Sequence, residues 1–381
     1  MVGRSIRGAA AFVGVGLAGI GLAPGFTHLD LIGLAVHEAL RDAGLELHEV
    51  DGLFTANMAN MLPTLAVGEY LGIRPSVAVG TNTGGNSLID HALWAAIALE
   101  AGICSVAVIC YGSNQRTGKS VPPDQPPYEL AYHSRDPITS YALAAARHMH
   151  QYGTTREQLA AVAVSAREWA RRNPIAFARD PLTVADVLAS RMVCDPLSVL
   201  DCCLVTDGAG AIVMTRSDRA RHTDRAPIYL LGCASAQSHR QISQMPDLTV
   251  TAAAQSGPRA FAMAKLEPRD VDVLQLYDAF TINVLLFLED LGFCEKGAAG
   301  ALVASGAIAP GGTLPVNTNG GGLSCVHPGM YGIFALIEAI EQLRNSAGAR
   351  QVAGAEVALA HGNGGMLSAQ TTAILGTAAT L

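Results

Sequence analysis

The stretch Asn319-Gly320-Gly321-Gly322-Leu323-Ser324-Cys325-Val326-His327-Pro328-Gly329-Met330-Tyr331-Gly332 sets His327 and Tyr331 among glycines, just before an apolar helical pattern of Ile333, Leu336, Ile337 and Ile340. Glycine lets the main chain come close to a ligand, and a loop that opens a helix turns its N–H groups outward. An imidazole placed beside such donors suits a carbonyl or oxyanion.

Three other segments have the same character: Thr81-Asn82-Thr83-Gly84-Gly85-Asn86-Ser87, Leu276-Tyr277-Asp278-Ala279-Phe280 and His361-Gly362-Asn363-Gly364-Gly365. They follow strand-like runs, where α/β sheets place their ligands. Those runs are Val77–Val79, Ile103–Cys110, Ala211–Met214, Ile228–Leu231, Val271–Leu276, Val357–Ala360 and Thr372–Leu375. Helical patterns alternate with them. One spans Leu29–Ala43, with Ile32, Val36, Ala39 and Leu40 on one face and Gly44 as its stop. Another starts at Thr154-Thr155-Arg156-Glu157, a capping-box pattern, and ends before Asn173-Pro174. The alternation predicts an α/β protein.

Composition narrows the function. The chain has 381 residues, 50% of them hydrophobic and 15% charged, so it buries a large core. The net charge is −7 and no basic run occurs, which argues against a nucleic-acid groove or an anionic membrane surface. The eight cysteines form no C-x-x-C pair, so no metal site is expected, and most sit in apolar runs as reduced, buried thiols do. The apolar run after Arg7 is broken by Gly14, Gly16, Gly19, Gly21 and Pro24 and makes a poor signal peptide or membrane span, so a cytoplasmic protein is expected. Gly14-Val15-Gly16-Leu17-Ala18-Gly19 matches the dinucleotide fingerprint, but Gly21, Pro24 and Gly25 leave no helix to face a pyrophosphate. A glycine-rich strand exit is the better reading.

The region 113–195 opens with Pro122, Pro123, Pro126 and Pro127 and then turns helical and charged, as an inserted lid or loop domain would. The polar run Arg216–Pro227 reads as a linker. Val106–Gly112 followed by Asp207–Val213 echoes Val357–Gly365 followed by Thr371–Leu375. The expected division is an N-terminal half, 1–225, carrying the insertion, and a C-terminal half, 226–381.

These landmarks, with Asp201-Cys202-Cys203, Thr206-Asp207-Gly208-Ala209, Tyr141-Ala142-Leu143 and Gly153-Thr154-Thr155, resemble the thiolase superfamily over nearly the full chain. The likeness is strongest to the sterol-carrier-protein type and the bacterial lipid-transfer-protein relatives. The resemblance implies a five-layer αβαβα fold of two similar halves, a loop domain over the active site and a homodimer. It also implies an acyl-CoA thioester as substrate, with coenzyme A part of that substrate and no tightly bound cofactor.

Departures from the family pattern shape the functional expectation. Aligning Val79-Gly80-Thr81-Asn82 with the family's third strand puts Thr83 where the nucleophilic cysteine belongs, and no cysteine lies between Thr81 and Leu99. A threonine alcohol does not ionise near neutral pH as a thiol does. The resemblance makes His327 the histidine of the thioester site and sets His361 in place of the second, proton-moving cysteine. Gly364, Gly365 and Thr83 become donors to substrate oxygens. Tyr277 stands where the family carries Asn or His, as in lipid-transfer-type aldolases whose proposed acid and base are tyrosines; Tyr331 is a second candidate. Cys325, two residues before His327, is either a relocated nucleophile or a buried structural thiol. Asp278 is expected to cap the helix after Phe280, and Cys202 and Cys203 are assigned no chemistry.

The leading expectation is retro-aldol cleavage of a β-hydroxyacyl-CoA without an acyl-enzyme, with Tyr277, helped by Tyr331, as base, His327, His361 and the N–H groups near Gly364 and Thr83 holding the enolate, and His361 returning a proton. A thiolase-type acyltransferase using Cys325 and a non-catalytic acyl-CoA or lipid-binding subunit are the alternatives. The aldolase-like relatives often work with a small OB-fold partner chain, which the resemblance extends to this protein.

Overall fold

The computed structural model describes residues 6–57, 59–118, 127–220 and 225–381. Pro122, Pro123 and Pro126 of the expected insertion, and residues 221–224 of the expected linker, lie outside the described residues.

The chain begins with β1 (Ala10–Gly21), α1 (His28–Ala43), β2 (Gly52–Thr55) and α2 (Pro63–Leu71), followed by β3 (Val77–Gly80), α3 (Ser87–Glu100) and β4 (Val106–Ser113). Then come α4 (Pro127–Leu130), α5 (Ile138–Tyr152), α6 (Arg156–Ala170), α7 (Val184–Ala189) and the hairpin of β5 (Met192–Cys194) and β6 (Leu197–Ser198). β7 (Asp207–Arg216) returns to the main sheet and leads into the short α8 (Ser217–Ala220). The remainder holds β8 (Ile228–Gln237), α9 (Ala253–Ala264), β9 (Val273–Leu276), α10 (Thr281–Asp290) and α11 (Ala299–Ala304), and then α12 (Gly332–Leu343), β10 (Val357–Gly364) and β11 (Ala369–Gly376).

Among the described residues the main sheet has nine strands in the order β3-β2-β4-β7-β1-β8-β11-β10-β9. The order reflects across the β1–β8 seam. On one side β4 pairs antiparallel with β7 and parallel with β2; on the other β10 pairs antiparallel with β11 and parallel with β9. The sequence echo is therefore a repeat of strand pairing. The seam is narrow, Ala11 opposite Tyr229 and Phe12 opposite Ile228.

Helices cover both faces. α1 lies on β1, β7 and β4, and α9 on β8 and β11, while α3 and α12 touch strands of both sides. The layer order is thus helix, strands, helices, strands, helix. α10 is buried along its whole length, its polar Asn283, Glu289 and Asp290 included, and packs on α5, α6, α9 and α11.

Local chemistry accounts for these elements. α1 ends at Gly44 in the left-handed conformation (φ 66°), its apolar stripe turned inward. α6 does carry a capping box, but one residue later than expected: Thr155 is the N-cap, and Gln158, not Glu157, returns the hydrogen bond. Gly14 and Gly16 belong to β1, not to a nucleotide loop. A Cβ on Gly14 would stand 2.8 Å from that of Ala43, and one on Gly16 the same distance from that of Glu38. The glycines exist so that α1 can lie on the strand.

Candidate active site

The four glycine- and polar-rich segments converge where β9 and β10 end. Tyr277 follows β9, and its N–H donates to the His361 carbonyl at 3.0 Å. Its phenol accepts from the Tyr331 N–H and donates to the Gly329 carbonyl, both at 3.3 Å. The His327 and Tyr331 rings meet it edge to face, with centroids 5.6 and 5.7 Å away. Tyr331 is fully buried at the start of α12 and donates to Asn319 Oδ1 at 2.9 Å.

His327 is fixed through its main chain. Its N–H donates to the Thr206 hydroxyl at 3.0 Å, and its carbonyl accepts from the Gln115 amide at 2.8 Å. Its ring Nε2 is buried and has no hydrogen-bond partner among the described residues. Burial lowers the imidazole to about 4, against a weaker opposing contact with its own main chain. Burial likewise raises both Tyr277 and Tyr331 well above the usual phenol range. At neutral pH the site therefore holds a neutral imidazole with an open nitrogen beside a protonated phenol. Tyr277, expected as the base, thus rests as a protonated phenol, and the nitrogen left open in the group is His327 Nε2.

A single π-helical turn, Gly321–Cys325, carries the chain into His327. Asp278 braces it, accepting from the N–H groups of Gly322 at 2.6 Å and Leu323 at 3.3 Å. Gly321 is left-handed (φ 66°) and faces the carboxylate too closely for a side chain. Asp278 does not cap the following helix as expected; the N-cap there is Phe280, which has no side-chain bond. Burial raises Asp278 to about 7, with the Gly322 and Leu323 N–H groups opposing.

Thr83 lies in the turn before α3 and touches the glycine strand end: a Cβ on Gly364 would run into the Thr83 carbonyl oxygen. Its N–H is spent on the Ser87 hydroxyl at 3.0 Å, and its own hydroxyl donates to Asn86 Oδ1 at 3.1 Å. The expected Thr83 amide donor is thus engaged within the turn. Gly365 is left-handed (φ 60°), and its carbonyl accepts from the Tyr141 phenol at 3.2 Å.

His361 and Cys325 are not brought into this group. Side chains alternate along β10, and Gly362 and Gly364 take the face toward α3, where a Cβ on Gly362 would be 2.8 Å from the Asn86 Cα. His361 therefore points the other way, edge-on to Phe287 of α10. Gln370 donates to Asn363 Oδ1, which leaves its carbonyl oxygen to accept from His361 Nε2 at 3.0 Å, while Nδ1 pairs with the Thr372 hydroxyl at 2.9 Å. Both nitrogens are engaged, and burial lowers the ring to about 3. It is a strut, not the expected proton carrier, and the position on the active face belongs to Gly362. Cys325 is 2% exposed and takes a 3.6 Å contact from the Asn173 amide. Burial, aided by Glu338, pushes its thiol up, the reverse of an activated nucleophile.

A cleft of about 270 Å³ opens beside the π-helical turn, lined by Arg116, Arg167, Leu182, Cys203, Leu323 and Ser324, among others. Cys203, on the cleft wall, adds to the burial that raises the Tyr277 and Tyr141 phenols. In the sequence Cys203 and Tyr141 stand out only as family landmarks without an assigned role, and Asn283 gives no signal. Among the described residues no three His, Cys, Asp or Glu side chains gather as a metal site, and no helix is long and apolar enough to cross a membrane.

Comparison with known proteins identifies the family of this fold. The thiolase C-terminal domain-like family model matches residues 234–377. The chain is 35% identical to an acetyl-CoA acetyltransferase of Methanothermobacter thermautotrophicus, over 88% of this chain and 91% of that one. It is 34% identical to a 17-hydroxy-3-oxo-4-pregnene-20-carboxyl-CoA lyase of Mycobacterium tuberculosis, over 92% and 95%. A solved Ltp2–ChsH2(DUF35) aldolase superposes with a TM-score of 0.90 at 32% identity, covering 98% of this chain and 99% of its counterpart. Likeness of this extent, end to end and on one layered fold, means that the chain belongs to the thiolase superfamily, in its lipid-transfer-protein-like branch.

Proposed function

We propose that the protein cleaves the Cα–Cβ bond of a β-hydroxyacyl-CoA by a retro-aldol reaction without a covalent acyl-enzyme. The observation that carries this reading is the pairing of the unpartnered His327 Nε2 with the protonated Tyr277 phenol. The β-hydroxyl gives its proton to Nε2, the Cα–Cβ bond breaks, and its electron pair passes into the thioester as an enolate while the β-carbon leaves as a ketone or aldehyde. Tyr277 supplies the proton for the α-carbon, and the imidazolium restores it, so nothing is consumed. Main-chain donors at the Gly364–Gly365 turn serve the enolate oxygen.

Thr83 at the position of the thiolase cysteine, with Cys325 buried and raised, disfavours an acyltransferase. The acetyltransferase relative keeps that reading as the alternative, and a non-catalytic thioester-binding subunit is the third. The cleft supports coenzyme A entry: Arg116 and Arg167 at its wall suit phosphates, and both come from the inserted region. The division at about residue 225 and the lid role of 113–195 remain part of this proposal. So do a cytoplasmic location and a homodimer; the open edge of β3, with exposed Leu62, Leu65 and Trp94 nearby, suits a second copy. The ChsH2(DUF35) chain named with the aldolase relative supports a small partner chain here as well.

The test is product analysis with a panel of β-hydroxyacyl-CoA thioesters, with and without a partner chain, alongside intact-mass measurement after acid quench. Equimolar shortened acyl-CoA and carbonyl product, with no mass adduct, is the expected result. An acyl adduct on any residue overturns the non-covalent route, and binding without turnover in either condition leaves the binding subunit.

A further inference from the structure

Asn283, in the first turn of α10, is fully buried, and among the described residues neither its amide nitrogen nor its carbonyl oxygen has a hydrogen-bond partner. Burying both ends of an amide unmet is costly unless something polar arrives to meet them. Its surroundings are otherwise well paired. The Tyr141 phenol accepts from Asn363 at 2.7 Å and donates to the Gly365 carbonyl at 3.2 Å. Asn363 is held in turn by Gln370 at 2.7 Å, and Gln370 by His361. Tyr141 is also stacked on Phe280, 4.4 Å between centroids.

This chain of bonds explains what His361 is for: it fixes the orientation of Asn363 and hence of Tyr141. Asn283 of α10 stands next to that phenol of α5, on which α10 packs, without a hydrogen bond of good geometry between them. Cys203, which lines the cleft, neighbours both Tyr141 and Tyr277. The amide therefore lies by Tyr141, whose neighbour Cys203 lines the cleft, and among neutral groups.

We infer that Asn283, positioned against Tyr141, is a substrate-binding residue that holds the neutral oxygen on the β-carbon, as hydroxyl before cleavage and as carbonyl after it. An amide is suited to both states, since its nitrogen donates to the oxygen in either and leaves the hydroxyl's own hydrogen for His327 Nε2. The absence of a cation from the Tyr141–Asn363–Gln370–His361 chain fits a neutral oxygen and not a carboxylate. The inference rests on the aldolase reading and assigns it a selectivity: the site distinguishes acyl groups bearing a β-oxygen from those without one.

The test compares binding of 3-hydroxyhexanoyl-CoA and hexanoyl-CoA to the wild type and to Asn283→Leu by calorimetry, with thermal melting of each free protein. The leucine has similar bulk and no hydrogen bonds. The expected result is a loss of about tenfold in affinity for the hydroxy thioester only. Hexanoyl-CoA binding is expected to hold, and the free variant to melt no lower than the wild type, because an unmet amide has gone. Equal loss for both thioesters, or no loss for either, overturns the inference while leaving the aldolase reading standing. A wild type that binds neither thioester overturns both. Asn283→Ser is measured in parallel, so that if one variant fails to fold the other decides.

Discussion

Gly85 faces the Tyr277 ring so closely that a Cβ there would stand 2.7 Å from the phenolic oxygen. The absence of a side chain at the start of α3 is thus what lets the phenol reach the His327 edge. Gly85→Ala should displace the ring and cost about a hundredfold in turnover, with the fold retained by circular dichroism. Wild-type turnover in a folded Gly85→Ala would mean that the placement of Tyr277 does not matter to the chemistry.

Burial of His327 predicts an unusual pH profile. The group is lowered to about 4, so its neutral, proton-accepting form persists at all pH values above about 4 and is lost as pH falls through that value. An exposed histidine base would instead lose activity near 6.5. The acidic limb of kcat/KM is expected near 4, read in short assays after a pH jump, and an acidic limb near 6.5 would mean that His327 is not the acceptor. His327→Gln should cost about a hundred- to ten-thousand-fold in kcat with little change in melting temperature.

Asp278 is a brace whose removal should register in stability. Asp278→Ala leaves the Gly322 and Leu323 N–H groups without an acceptor, at about 1–3 kcal/mol each. Asp278→Asn keeps an acceptor oxygen and should lose less. Urea denaturation of the two variants measures the difference, and equal losses would show that charge, not hydrogen bonding, holds the turn.

Cys325→Ala is expected to leave turnover unchanged, since the thiol faces Asn173 and is pushed up by burial. Lost activity, together with an acyl adduct on Cys325 in the wild type, would establish the acyltransferase.

What the sequence disclosed, and what it hid, follows from the reach of each signal. Gly44 as a helix stop, the apolar stripe of α12 and the strand pairs of the internal echo depend on near neighbours, and they stand where expected. Convergence of Tyr277, His327 and Tyr331 came through the family likeness, because no local pattern places residues of separate loops together. His361 was misplaced for a definite reason. In His361-Gly362-Asn363-Gly364 the glycines leave no apolar alternation to declare which face is which, so strand register alone turns the imidazole away. Asp278 was misjudged because an acid before a helix resembles a cap, whereas its partners lie more than forty residues on. Asn283 gave no signal, since an unmet amide can be seen only once its surroundings are known.

The glycines of β1 carry a consequence for how the protein tolerates change. Where Gly14 and Gly16 meet α1, the spacing between helix and sheet is set by main-chain atoms, including the Ala39 and Ala43 N–H groups. Side-chain packing elsewhere can trade one methyl for another and absorb the difference in a rotamer. Here there is no rotamer to adjust, and an added methyl has to lift the whole helix as a rigid rod. Since α1 also rests on β7 and β4, one carbon atom at either glycine would be felt across three strands at once.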